Sequence, residues 1–170
     1  GLTQINSLAV CQLLENHGLK DVHLKWINDV VVDGKKISGN LVRTNNLPEE
    51  SYAVQIGIGV NVMVAPIEGS TCMQSIVPAD YNVEKLNEEL LTILIKDIEK
   101  STNEGVAVFY QEVEKRILYL NEHVFIYDLG LTNIVNEGTF KSLGKEFEAN
   151  LDTASGPVTV LSGRMRNKKL

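Results

Sequence analysis

The chain has 170 residues, 44% apolar and 22% charged, with 13 Gly and 4 Pro, the make-up of an ordinary soluble globular protein. Its 22 acidic residues outnumber 16 basic ones for a formal charge of −6, so no global positive field exists to hold a nucleic-acid backbone. Apolar runs such as Val30 to Val32 fall far short of the roughly 20 residues of a membrane span, and no secretory segment opens the chain. Cys11 and Cys72 supply neither a disulfide framework nor a C-x-x-C site, which points to a reducing, cytoplasmic setting.

In chain order, Leu2, Ile5, Leu8, Ala9 and Leu13 recur at helical spacing as far as Asn16, predicting an amphipathic helix that Gly18 stops. Val22, Leu24 and Trp26 alternate with His23 and Lys25 as a half-buried strand does. After Asn28 and Asp29, Val30 to Val32 and Lys36 to Val42 flank Asp33-Gly34, a strong two-residue hairpin signal. A polar loop through Asn45, Asn46 and Pro48 leads to a long strand from Tyr52 to Val62, interrupted by Gly57 and Gly59.

A loop with Pro66, Gly69 and Pro78 precedes Asn82, a good helix cap, and a helix bearing Leu86, Leu90, Ile93, Leu94 and Ile98. Gly105 separates it from an expected second helix carrying Val106, Phe109, Val113 and Ile117. From Glu122 the period becomes two, with glycines 130, 138, 144 and 156 at turn intervals, so about five short strands are expected in a strongly bent or barrel-like sheet. The expected fold class is α+β: a mixed or antiparallel sheet packed against helices over residues 1–121, then a small all-β domain over 122–170.

Candidate chemistry concentrates in Lys25-Trp26-Ile27-Asn28-Asp29 and Lys36-Ile37-Ser38-Gly39. In an antiparallel hairpin Lys36 comes near Asp29 or Val31, so cations, an amide and a carboxylate can converge on one small anion. Solvated hairpin charges are the competing reading. Gly57-x-Gly59-x-Asn61 does not complete a dinucleotide fingerprint, and its glycines read either as close strand packing or as approach by a ligand. His17, His23 and His123 lack metal-ligand spacing, Cys11 reads as core, and Cys72 has no basic partner nearby in sequence. The basic tail from Arg164 to Lys169 could touch an acidic partner protein or a phosphate, but reads first as a frayed, solvated end.

Lys25 to Asp29 and Gly34 to Gly39 resemble the K-W-P-N-D and G-K-K-I-A/S-G signatures of biotin protein ligases. Ile56 to Val62 is similar to that family's I-G-x-G-x-N-V strand, and Ser70 to Met73 to its T-C stretch. The resemblance implies a class II synthetase-like catalytic domain with a small C-terminal β domain. It also implies formation of biotinyl-5′-adenylate from biotin and ATP with Mg²⁺, then transfer of biotin to a lysine in the biotin-accepting domain of a carboxylase. By position, Lys36 and Lys25 would be catalytic, and Lys36, Gly39, Leu41, Asn28 and Asp29 would bind biotin or its adenylate. Asn61 and Lys25 would meet the nucleotide, with Mg²⁺ near Asn61 and no protein metal ligand assigned. Nucleic acid and membrane are not expected as partners, and a monomer or weak homodimer is.

Ile27 replaces the signature proline, Asn40 stands at an apolar position, and Arg43 at a usually acidic one. No G-R-G-R-x-G loop or S-T-N/Q strand occurs, and the chain opens on Gly-Leu-Thr-Gln, so it reads as the C-terminal portion of a ligase, inactive alone. A non-catalytic module gripping an acceptor domain and a lipoate or octanoyl transferase relative are the alternatives.

Overall fold

A computed structural model describes residues 1–48 and 51–169. Helix α1 (Leu2–Asn16) packs against β1 (Val22–Lys25), β2 (Asp29–Val32) and β3 (Lys35–Asn46) on one side and α3 (Val83–Glu104) on another. Periodicity predicts one buried face, yet Gln4, Asn6 and Ser7 are buried along with Ile5, Leu8 and Leu14, so α1 is enclosed nearly all round. Gly18 stops it as expected: its φ of +86° suits glycine, and Leu19 N–H reaches back to the Leu14 carbonyl.

Among the described residues, β1, β2, β3 and β4 (Tyr52–Val60) form an antiparallel sheet in that order. Asp33 and Gly34 both take positive φ, 50° and 71°, the backbone of a tight hairpin turn. A register shift opposite Val30 and Val31 sets Asp29 across from Gly39 and Val31 across from Lys36. Gly39 and Leu41 then face Gly59 and Gly57 across β3 and β4.

Beyond the short α2 (Met73–Ile76), the Asn82 side chain caps α3 by accepting from Lys85 N–H. The expected second helix is divided into a 3₁₀ turn (Val106–Phe109) and a short α4 (Tyr110–Glu114). Ile117 lies outside it, bridged in parallel to Leu24, because Leu24 hydrogen-bonds both the Arg116 carbonyl and Leu118 N–H. No helix among the described residues is long and apolar enough to cross a membrane.

The second sheet is built from β5 (His123–Tyr127), β6 (Ile134–Leu143), β7 (Ala149–Thr153), β8 (Gly156–Val160) and β9 (Arg164–Arg166). Its order is β8-β7-β6-β5-β9, antiparallel throughout, and the edge strands β8 and β9 do not close it into a barrel. Phe140, Phe147, Leu151 and Met165 join Ile5, Leu14, Leu24 and Trp26 in one buried cluster, so the two sheets share a continuous core.

Candidate functional site

Two adjoining cavities meet at Asn28 and Lys36. The larger, about 600 Å³, is an open cleft on the outer face of the β3–β4 hairpin, lined by Asn28, Lys36, Gly39, Leu41, Asn61 and Ile67 among others. Gly57 and Gly59 also line it, and a Cβ on either would come no nearer other atoms than 3.9 and 4.0 Å. Close strand packing therefore does not require these glycines; what their missing side chains leave is cleft space.

The smaller cavity, about 150 Å³, lies between the end of β1 and β9 and is lined by Lys25, Trp26, Asn28, Asp29, Lys36, Arg164 and Arg166, among others. Four cationic side chains there face one carboxylate, a local inversion of the chain's negative charge. Burial pushes the half-buried Lys25 ammonium below the usual lysine range, and Arg166, Lys36 and Arg164 push the same way against the opposing pull of Asp29. Arg166 Nε is shielded from solvent with no hydrogen-bond partner among the described residues, a donor that an anion could satisfy.

Lys36 Nζ reaches Asp29 Oδ1 at 2.5 Å over Gly39, whose absent Cβ would sit 2.8 Å from that Nζ. The pair is partly solvent-exposed, so it orients Lys36 more than it stabilises the fold. Asn28 and Asn40 clamp the strand-end turn: Asn28 Nδ2 donates to the Asn40 carbonyl at 2.8 Å, and Asn40 N–H donates to the Asn28 carbonyl at 3.0 Å. The Trp26–Ile27 peptide is cis. Asn40 occupies its expected apolar position by donating to Ser7 Oγ at 2.6 Å beneath the sheet. Asn61 borders the cleft and tethers the following loop through its amide to the Thr71 carbonyl.

All seven site residues expected from the sequence thus fall on one cavity or the other, with Asn28 and Lys36 on both. Lys35 and Lys36 are both exposed on the hairpin, Lys36 with its ammonium held by Asp29. Arg164 and Arg166 correct the reading of a frayed tail: they lie on β9, paired with Tyr127 and Phe125 of β5. Arg-Met-Arg is itself a period-two pattern with Met165 buried, a signal too short to separate from a basic end. No group of three or more His, Cys, Asp or Glu arranged for a metal occurs among the described residues.

The fold, an antiparallel sheet backed by helices and followed by a second antiparallel sheet, matches that of solved biotin protein ligases. The model of the Biotin/lipoate A/B protein ligase family matches residues 3–61. The chain is similar to apo biotin protein ligase from Aquifex aeolicus, with TM-score 0.82, 26% identity, and coverage of 98% of this chain and 74% of that one. The same ligase in complex with biotin and ATP matches at TM-score 0.80 and 25% identity, covering 99% and 71%. Bifunctional ligase/repressor BirA of Escherichia coli strain K12 is 25% identical over 131 residues, 73% of this chain. The chain spans 40% of that relative's length. BirA of Bacillus subtilis strain 168 is 35% identical over 65 residues, 38% of this chain and 20% of its own.

Proposed function

We propose that this chain serves ATP-dependent biotin–protein ligation. The biotin carboxylate attacks the α-phosphorus of ATP, giving biotinyl-5′-adenylate and releasing pyrophosphate. A lysine amine of a carboxylase's biotin-accepting domain then attacks the acyl carbon, forming the amide and releasing AMP. The observation that carries the reading is the junction of the two cavities at Lys36. A cleft of about 600 Å³ with a glycine floor and Leu41 and Ile67 on its walls suits a small molecule with an apolar chain. The cation pocket suits polyphosphate.

In this reading Lys36 neutralises the reacting carboxylate and α-phosphoryl oxygens, where negative charge grows in the transition state. Lys25, Arg164 and Arg166 take the leaving pyrophosphate, and Asn61 borders the nucleotide. Gly39 and Leu41 shape the acyl path, Asn28 holds the strand-end turn, and Asp29 fixes Lys36 and orients the incoming amine. Mg²⁺ enters with ATP, as a cation held chiefly by phosphate oxygens and water. Residues 1–121 are then the catalytic part, and 122–170 a β part that completes the pocket through its two arginines, in a cytoplasmic setting where Cys11 and Cys72 stay free.

The test is pyrophosphate release from biotin and ATP by the protein that carries this chain. Lys36→Ala is expected to lower it by about 10²-fold or more; undiminished release would overturn the role. The family model embraces lipoate, so lipoate is run beside biotin. Release driven by lipoate and not by biotin would move the chain to the lipoate side of the matched family model. Acceptor-domain binding without adenylate formation would make it a binding module.

A further inference from the structure

Phe147 sits in the turn between β6 and β7, where Gly144 N–H donates to the Glu148 carbonyl and Phe147 N–H to the Gly144 carbonyl. Its φ of +64° lies in the left-handed region that a bulky residue adopts only when its surroundings hold it there. The surroundings do: the ring is 1% exposed and stacks on Tyr110 at 6.2 Å between centroids. The Tyr110 hydroxyl donates to the Leu143 carbonyl at 2.9 Å. On the other flank Trp26, 3% exposed, donates its indole N–H to the Phe147 carbonyl at 3.0 Å. Without that donor the carbonyl would be buried and unpaired.

Trp26 is the chain neighbour of Lys25, while β6 pairs with β5 and β5 with β9, so the turn and both arginines belong to one hydrogen-bonded slab. Lys25 and Lys36 on one wall of the anion pocket repel Arg164 and Arg166 on the other when no anion lies between them. Something uncharged must hold the walls together. We infer that Trp26 is a positioning residue: its bond to the Phe147 carbonyl locks the β6–β7 turn against the strand end bearing Lys25 and so sets Arg164 and Arg166 across the anion pocket. The inference rests on reading that pocket as the polyphosphate site.

The experiment is a double-mutant cycle in the protein that carries this chain, with inorganic pyrophosphate titrated calorimetrically. Arg166→Ala is expected to weaken binding about tenfold, and Trp26→Phe, which keeps an aromatic ring, smaller than the indole, and loses the donor, about fivefold. Because Trp26 acts through the arginines, Trp26→Phe is expected to cost almost nothing further in a background carrying both Arg164→Ala and Arg166→Ala. An equal loss in both backgrounds, or no loss in either, overturns the positioning role. If Arg166→Ala binds pyrophosphate undiminished, the pocket reading itself fails, a separate outcome. Should Trp26→Phe not fold by circular dichroism, Tyr110→Phe removes the other tether of the turn and is expected to show the same coupling; additivity there refutes the inference equally.

Discussion

Alanine at Gly59 or Gly57 separates a cleft built for a ligand from a sheet built on glycine packing. Neither glycine has a positive φ, and the nearest atom to an added Cβ is the Gly39 carbonyl oxygen at 4.0 Å or the Leu41 carbonyl oxygen at 3.9 Å, ordinary van der Waals distances. The folded state accepts the methyl without strain, while the unfolded chain loses freedom, a net gain of about 0.4–1 kcal/mol. At about 2–4 °C per kcal/mol for a chain of this size, Tm should hold or rise by about 1–4 °C. The methyl instead intrudes on the cleft floor, where overfilling a fitted space costs about 1–3 kcal/mol, or about 5- to 150-fold in affinity. Thermal unfolding by circular dichroism and calorimetric titration with biotin and ATP read the two effects separately. A Tm lowered by several degrees with both affinities unchanged would refute the reasoning and return these glycines to strand packing.

Lys25 gives a pH signature. Its free pKa lies below the usual 10.5, chiefly through burial, and a bound anion favours the ammonium, so the pKa rises on binding. Between the two values binding takes up a proton and affinity falls as pH rises; sulfate, which does not titrate there, should show proton uptake in buffers of different ionisation enthalpy. Uptake that survives in Lys25→Gln, or is absent in the wild type, contradicts the assignment. Burial pushes the Cys11 thiol up to about 12, so iodoacetamide at pH 8 should leave Cys11 unmodified in the native protein and label it in urea, read by mass spectrometry. Labelling of native Cys11 at the rate of a free thiol would show that α1 is not enclosed.

Local signals carried far in the first third of the chain. Asp33-Gly34 specifies a tight turn, the turn specifies the register, and the register brings Asp29, Lys36 and Gly39 together, so much of the candidate site was legible from spacing. Asn82 and Gly18 marked helix ends for equally local reasons. Legibility failed where burial depends on distant partners. The apolar period of α1 leaves out Gln4, Asn6 and Ser7, which are buried: Gln4 reaches the Ile27 carbonyl and Ser7 receives Asn40. Ile117 fits a helical period but is taken by its bridge to Leu24, a pairing no local pattern records.

The sequence by itself determined the α+β layout, the hairpin with its lysines, and the chemistry on offer: amides, a carboxylate and cations beside a glycine-floored strand. Tertiary structure alone decided that Arg164 and Arg166, near the end of the chain, stand across a pocket from Lys25 near its beginning. Periodicity reports which face of an element is buried, never which other element covers it. The pocket exists because two sheets share one core and are bonded through Trp26 and Phe147, and such long-range closure is written in shape and hydrogen bonding rather than in spacing.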